Sequence, residues 1–151
     1  MSEQVELAVQ NLEKEEGWCS LPYYCTEGFP TIGFGFKIGK KDDPLPEITM
    51  DKSVGIGKLR ALCDGLDHQF MNDKRTYAIY SDANPVRKAV LINMAYQIGF
   101  VGLMNFKQMW AALGAKNYKL AGAECLDSLA AKQTPARWKR NAQMIITGEI
   151  A

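Results

Sequence analysis

Histidine is nearly absent from this chain of 151 residues, which contains only His68. That residue falls outside the apolar stripe of its predicted helix, so we expect it on the solvated surface. Ser-His and Cys-His nucleophile systems therefore lose their usual base. A metal site has too few imidazole ligands. No motif requires a cofactor, and we expect none.

Cysteine pairs of the CxxC type are also absent, which argues against a zinc ribbon or a thioredoxin-type site. The four cysteines are Cys19, Cys25, Cys63 and Cys125. They could form two disulfides, but the N-terminus shows no basic start followed by an apolar run, as a signal peptide would. We therefore expect synthesis in a cytoplasm, where free thiols are favoured. Their redox state after any export stays open.

Strong net charge and long apolar runs are missing as well. The formal net charge is +1, which gives no electrostatic reason to expect binding to nucleic acid or to a membrane. No stretch approaches the roughly 20 apolar residues of a membrane span. Locally, residues 3–16 carry five glutamates against one lysine, whereas residues 132–140 carry four basic groups and no acid. If these two segments meet in the fold, acid faces base.

The N-terminal segment shows the apolar spacing of a helix, with Ser2 as its expected N-cap. Its stripe consists of Val5, Leu7 or Ala8, Val9 and Leu12. Four residues further along that stripe lies Glu16, just before Gly17. The carboxyl group of Glu16 is thus expected on the inward face at the end of the helix.

The rest of the chain predicts a small hairpin followed by helices, and hence a mostly helical α+β fold. Residues 23–38 show the alternation and glycines of a hairpin. Thr49 is the expected cap of a helix that begins near Met50, with an apolar stripe made of Leu59, Leu62, Cys63, Leu66 and Phe70. Further helices are predicted over 85–98, 103–112, 117–129 and 135–147. Their expected boundary residues are Asn84 and Gly99 for the first and Thr134 for the last.

Glu16 is the strongest candidate for acid chemistry. In a partly apolar cleft, desolvation favours the protonated form of a carboxyl group, which can then donate a proton to a leaving group. The competing interpretation is structural, because a lone glutamate at a helix end often serves as a cap or a salt-bridge partner.

The residues after Glu16 change that balance. Eight residues separate Glu16 from Cys25, and five separate Cys25 from Thr31, which is followed by "IGFG". This pattern resembles the phage-type lysozymes of the T-even bacteriophage kind (glycoside hydrolase family 24). They have Glu, eight residues, Asp or Cys, five residues and Thr. "VRKAVLINMAYQIG" resembles the central helix of that family, and "QTPARWKR" with "ITGEI" resembles its penultimate helix and tail.

The resemblance implies a single domain over residues 1–151 with a lysozyme-like two-lobe fold. A small lobe over about 13–60 would carry a three-stranded sheet, and a long helix would join it to a helical lobe of about 1–12 and 75–151. Peptidoglycan would lie in a groove between the lobes. The implied activity is hydrolysis of the β-1,4 bond between N-acetylmuramic acid and N-acetylglucosamine by a muramidase.

The resemblance also implies roles for single residues. Glu16 matches the general acid, and Thr31 matches the hydroxyl that helps to place the attacking water. Arg137 matches a basic residue that pairs with the catalytic glutamate, where a guanidinium favours the ionised carboxylate and opposes the effect of desolvation. The matches to groove positions that touch or frame the sugar chain are Tyr96, Gln97 and Thr134.

Cys25 stands where many members of the family have aspartate. It either orients water as a modest base, which gives inversion, or attacks the anomeric carbon as a thiolate, which gives retention. We favour the first, because nothing in the sequence supplies a strong thiolate-stabilising group beside Cys25. A third interpretation is that Cys25 only packs. Phe36 and Leu129 also depart from the family, which has a histidine and an arginine at these positions.

The expected biological setting is that of a phage endolysin. It would act as a monomer, made in the cytoplasm of a bacterial host and released by a holin onto the cell wall in the periplasm. The departure at Cys25 motivates an alternative from another class, a catalytically weak peptidoglycan-binding or structural module of a phage tail or secretion-system tip. A lytic transglycosylase is the third hypothesis.

Overall fold

The computed structural model describes residues 2–151, and this part of the chain is mostly helical with one three-stranded antiparallel sheet. The strands are β1 (Cys19–Tyr24), β2 (Pro30–Gly33) and β3 (Phe36–Lys37). The helices are α1 (Glu3–Glu16), α2 (Lys52–Asn72), α3 (Tyr77–Asp82), α4 (Pro85–Ile98), α5 (Phe100–Met104), α6 (Lys107–Gly114), α7 (Tyr118–Leu126), α8 (Leu129–Gln133) and α9 (Pro135–Thr147). The predicted class, a mostly helical α+β fold with a small sheet, is confirmed.

The chain divides into two compact units. One comprises residues 9–61 and contains the sheet. The other comprises residues 2–8 together with 62–151 and contains α3 to α9. We refer to them as the sheet unit and the helical unit. Across residues 2–151, no helix combines the length and the apolar character that crossing a membrane requires.

Helix α1 buries the predicted stripe but lacks the predicted cap. Of the stripe residues, Leu7 is half-buried, and the other four are at most 2% exposed. Ser2 precedes the helix, but its hydroxyl has no hydrogen-bond partner among residues 2–151, so the N-cap prediction is wrong. The helix ends at Glu16 because Gly17 adopts a φ of 66°, a backbone conformation that favours glycine. Glu16 is therefore the last residue of α1.

The hairpin begins earlier than predicted. Cys19 already pairs with Gly33, so β1 starts at residue 19 instead of 23, and the register shifts between Cys19 and Tyr23. Such a bulge hides the alternation from which strands are recognised in sequence. Thr31 lies on the central strand, opposite Tyr23 on β1 and Lys37 on β3.

Helix α2 begins two residues later than predicted. The first bond of its opening turn joins the N–H of Gly55 to the carbonyl of Asp51 at 3.0 Å, so Thr49 is outside the helix and does not cap it. The stripe residues Leu59, Cys63 and Phe70 are fully buried. Leu62 is 42% exposed, contrary to prediction, because it lies beside the line that these residues form.

Helix α4 is the central element of the helical unit, as predicted. The side chain of Asn84 accepts a hydrogen bond from the N–H of Arg87 at 2.9 Å, and Gly99 ends the helix with a φ of 84°. Seven successive residues, from 89 to 95, are buried. A helix that is buried on all sides forms the core of its unit.

The helices after α4 are shorter than predicted, except the last. The predicted helix over 103–112 is interrupted at Asn105 and Phe106, whose N–H groups bond three residues back and tighten the turn. The predicted helix over 117–129 ends at Leu126, since the side chain of Ser128 starts α8 by accepting from the N–H of Ala131. Helix α3 was not predicted. Helix α9 has its predicted bounds.

Candidate functional site

The carboxylate of Glu16 lies against the turn between β2 and β3. A Cβ atom built on Gly35 would be 3.2 Å from Oε2 of Glu16. Gly35 has a φ of 79°, which side chains rarely tolerate. The glycine therefore brings the backbone close to the half-buried carboxyl group, with no side chain between them.

Trp18 fixes the chain just after Glu16. Its ring centroid lies 4.9 Å from that of the buried Phe34. The ring also fills a notch at Gly55 on α2, where any side chain would collide with it. The glycine that weakens α2 in isolation thus makes room for an aromatic anchor. This packing holds the end of α1 against the sheet within the sheet unit.

Cys25 lies in a tight turn that joins β1 to β2. Its N–H donates to the carbonyl of Phe29 at 3.0 Å, and the N–H of Phe29 donates back to Sγ of Cys25 at 3.4 Å. The N–H of Gly28 donates to the carbonyl of Cys25 at 2.9 Å. The turn therefore directs backbone N–H groups towards the sulfur, as in the concave anion sites that successive N–H groups form.

These contacts lower the pKa of the Cys25 thiol. The N–H of Phe29 has the largest effect, and the N–H of Glu27 adds to it. Partial burial and the negative charge of Glu27 oppose them. The groups that favour a thiolate at Cys25 belong mainly to the backbone, where no side-chain pattern in the sequence indicates them.

Tyr23 connects the predicted residues of the sheet unit. It pairs across the strands with Thr31, which is 2% exposed. Burial raises the pKa of Tyr23, and the negative charges of Cys19, Glu16 and Cys25 raise it further. Glu16, Cys25 and Thr31 are therefore all in the vicinity of one neutral phenol. We call these four residues, Glu16, Tyr23, Cys25 and Thr31, the acid cluster.

Arg137 lies in the helical unit, where it is 8% exposed. Its Nε and one terminal nitrogen donate to Oδ1 of Asn93 at 3.2 and 2.8 Å. Asn93 is 1% exposed and projects from the middle of α4. These two hydrogen bonds fix the orientation of the guanidinium plane. Pairing of Arg137 with Glu16 stays a prediction.

The three residues with predicted groove positions also belong to the helical unit. Tyr96 and Gln97 are half-buried at the end of α4, and Thr134 is exposed. Thr134 occupies the N-cap position of α9 but does not cap it with its side chain, so that prediction is wrong in part. Its hydroxyl instead donates to the carbonyl of Ala130 at 3.2 Å and accepts from Nε2 of Gln97 at 3.0 Å.

The remaining sequence predictions concern residues outside the acid cluster. The side chain of His68 is 69% exposed, which confirms its surface position. No disulfide joins the four cysteines, all of which lie within residues 2–151. Phe36 is 4% exposed and packs in the sheet unit, whereas Leu129 is 71% exposed. Over residues 2–151, the structure groups no three His, Cys, Asp or Glu side chains in a way that would hold a metal ion.

The chain is similar to proteins of the T4 lysozyme type, although no protein-family model matches it. Two proteins of Dictyostelium discoideum, named probable T4-type lysozymes 1 and 2, are 25% and 27% identical to it. Each similarity covers 92% of this chain and 93% of the relative. The pre-baseplate central spike protein Gp5 of Enterobacteria phage T4 is 28% identical over 92% of this chain.

These relatives support a T4-lysozyme-like family for the chain. The chain spans 27% of the length of the spike protein, whereas it spans nearly the whole length of each Dictyostelium protein. The similarity therefore extends both to a relative that is much longer than this chain and to relatives of about its own length.

Four residues with a part in these arrangements escaped the sequence analysis. Tyr23 lies two positions before Cys25, and strand alternation alone would have placed both side chains on one face. Asn93 is a lone amide in an apolar run, which is a signal for a buried polar contact. Gly35 and Trp138, whose indole N–H donates to Oε1 of Gln97 at 3.0 Å, gave no such signal, because their contacts depend on the folded chain.

Proposed function

We propose that this chain is a peptidoglycan muramidase that hydrolyses the β-1,4 bond between N-acetylmuramic acid and N-acetylglucosamine. The observation that carries the proposal is the acid cluster, in which Glu16 and Cys25 act electrostatically on Tyr23 and Thr31 pairs with Tyr23 across the strands. The similarity to proteins named T4-type lysozymes supports the same reaction.

In the proposed reaction, Glu16 donates its proton to the glycosidic oxygen as the bond to the anomeric carbon breaks. Water then attacks the anomeric carbon and transfers a proton to the thiolate of Cys25, which is the proposed acceptor. Thr31 uses its hydroxyl hydrogen on the carbonyl of Phe29 at 2.8 Å, so it offers a lone pair to the water. This orients one water hydrogen towards Thr31 and leaves the water oxygen available for attack.

Cys25 has two chemically distinct parts open to it in this scheme. As an acceptor beside Thr31 it would orient the water, and the product would have inverted configuration. As a nucleophile its thiolate would form a bond to the anomeric carbon, and water would later break that bond, with net retention. We propose the first part, because thioglycosidic bonds hydrolyse slowly. NMR analysis of the first-formed anomer distinguishes the two.

We further propose that the helical unit contributes to binding. Arg137, held by Asn93, would pair with Glu16 and stabilise its carboxylate after proton transfer. Tyr96, Gln97 and Thr134 would touch the glycan. The chain would act as a monomeric endolysin made in the cytoplasm of the host, with holin-dependent release to the periplasm.

A structural role in a phage spike or a secretion-system tip is the second candidate. The similarity to the pre-baseplate central spike protein favours it, because that relative contains the similar region within a much longer chain. A module of this kind would bind peptidoglycan but release no reducing ends. Measuring both binding and the release of reducing ends from purified sacculi separates the two functions.

The central test replaces Glu16 by glutamine. Glu16→Gln keeps the shape of the side chain but removes the proton that the reaction needs, so we expect the rate to fall by about 10²- to 10⁴-fold. Glu15→Gln, next to it on α1, is the matched control and should retain its activity. Clearing of a cell-wall suspension gives the rates, and circular dichroism confirms the fold of each variant.

Persisting activity in Glu16→Gln would remove this residue from the role of the acid. The products give a second test. Hydrolysis yields ordinary reducing ends, whereas a lytic transglycosylase yields anhydro-muramyl ends that are one water lighter by mass spectrometry. Anhydro products would replace the proposed hydrolysis by that reaction.

A further inference from the structure

Three side chains of the helical unit are linked by a series of hydrogen bonds, in which each side chain donates to the next group. The indole N–H of Trp138 donates to Oε1 of Gln97 at 3.0 Å. Nε2 of Gln97 donates to Oγ1 of Thr134 at 3.0 Å, and Thr134 donates to the carbonyl of Ala130 at 3.2 Å. Trp138 is fully buried on α9, and this series links it to the exposed hydroxyl of Thr134.

The indole determines how the Gln97 amide is oriented. An indole nitrogen is a donor only, so it must face the carbonyl oxygen of the amide, and Nε2 must then face Thr134. The reverse orientation would bring two N–H groups together and leave a buried indole N–H unsatisfied. Thr134 has one hydroxyl hydrogen, which it uses on Ala130. The direction of every bond in the series is thus determined.

The determined orientation leaves a donor at the end of α4. The amide nitrogen of Gln97 carries two hydrogens, and one of them is used on Thr134. The second has no protein partner among residues 2–151, and Gln97 is only half-buried. A ligand at this position therefore meets an N–H group and is favoured if it presents an acceptor oxygen.

We propose that Trp138 is a positioning residue for substrate specificity, because it makes Gln97 present an N–H donor to the carbonyl oxygen of an acetamido group on the glycan. This inference rests on the proposed function. Amide carbonyl oxygens are uncharged acceptors with two lone pairs and no hydrogen of their own, whereas sugar hydroxyls also donate. A fixed donor therefore selects acetylated over deacetylated sugars.

The test is Trp138→Phe, which keeps a buried aromatic ring but removes the indole N–H. Only Thr134 then holds the Gln97 amide, and a hydroxyl can either accept from Nε2 or donate to Oε1, so the amide is no longer fixed in one orientation. We therefore expect KM for acetylated wall to rise about three- to tenfold, with kcat nearly unchanged. Trp110→Phe is the matched control. Trp110 is also buried, and its indole N–H donates to the carbonyl of Leu103 at 3.0 Å, so this variant should keep the wild-type KM.

A second readout uses the acetyl group itself. Wild-type protein should bind an N-acetylglucosamine trimer more tightly than a glucosamine trimer, measured by titration calorimetry on the Glu16→Gln background. Trp138→Phe should reduce that preference about three- to tenfold, whereas Trp110→Phe should leave it intact. If Trp138→Phe does not fold, Gln97→Glu takes its place, because a carboxylate still accepts from the indole but has no N–H to offer.

The inference would be overturned if Trp138→Phe left both KM and the acetyl preference unchanged, and the muramidase proposal would stay intact. The same holds for Gln97→Glu if that variant is used in place of Trp138→Phe. Wild-type protein that neither cleaves nor binds the glycan would overturn both. A KM that rises equally in Trp138→Phe and Trp110→Phe would show a loss of packing, and would also overturn the role of the indole N–H.

Discussion

Gly35 gives the sharpest prediction about the acid cluster, because a single methyl group would touch the proposed acid. In Gly35→Ala the new Cβ would lie 3.2 Å from Oε2 of Glu16. That is closer than the ordinary contact distance of about 3.5 Å between non-bonded heavy atoms, so the carboxylate must move by a few tenths of an ångström. The φ of 79° adds backbone strain.

The two effects act on different quantities. A left-handed conformation costs a non-glycine residue roughly 1–2 kcal/mol, which lowers the free energy of unfolding of Gly35→Ala by that amount. Since a misplacement of 1 Å costs about 10²-fold in rate, a shift of a few tenths of an ångström at Glu16 should lower kcat about three- to tenfold. KM should change little, because the methyl group displaces the acid and not a binding group.

Gly17→Ala separates strain from contact. Gly17 has a φ of 66° and adjoins the same glutamate, but apart from its two chain neighbours no residue has an atom within 4 Å of an added Cβ. Thermal denaturation should show similar losses of stability for both variants, whereas initial rates of wall clearing should fall only for Gly35→Ala. Equal kcat values for the two variants would refute the contact between Gly35 and Glu16 as a determinant of rate.

Three other changes have defined outcomes. The pKa of Cys25 is lowered, whereas burial raises that of Cys125 to about 12. Iodoacetamide at neutral pH should therefore modify Cys25, inhibit wall clearing and leave Cys125 intact, as peptide mass spectrometry will show. A Cys25 that reacts only at alkaline pH would contradict this. Cys25→Asp should retain or raise the rate of wall clearing and Cys25→Ala should lower it, and equal rates for wild type and Cys25→Ala would leave the thiol without a chemical part. Asn141→Leu should raise the free energy of unfolding by about 1–3 kcal/mol in thermal denaturation. The reason is that both polar atoms of the Asn141 side chain are buried without a hydrogen-bond partner among residues 2–151. A lower stability would show that an unseen group forms hydrogen bonds with these atoms.

The elements that could be predicted from sequence are those with local boundary signals. Asn84 and Pro85 start α4, and a proline at its first position starts α9. Both helices therefore have the predicted bounds. The boundaries that failed depend on contacts beyond the local sequence. Ser128, for example, ends one predicted helix by capping the next, and a serine inside an apolar pattern does not reveal this.

The candidate site divides in the same way. The resemblance to phage-type lysozymes, based on the spacing of Glu16, Cys25 and Thr31, identified three members of the acid cluster. The electrostatic state of the thiol could not be predicted, because it is set mainly by the N–H groups of Phe29 and Glu27. Every residue has an N–H group, so only the folded turn shows where these groups point.

Asn93 is a buried polar side chain that holds Arg137 in the helical unit. Asn93 interrupts the apolar face of α4, and its side-chain oxygen accepts two hydrogen bonds from Arg137. Its amide nitrogen has no hydrogen-bond partner among residues 2–151. A leucine at position 93 would remove that unpaired nitrogen, so the packing of α4 alone does not favour asparagine. The guanidinium, however, would lose the acceptor that fixes its plane. Asn93 is therefore best explained by the orientation of Arg137 and not by the packing of α4.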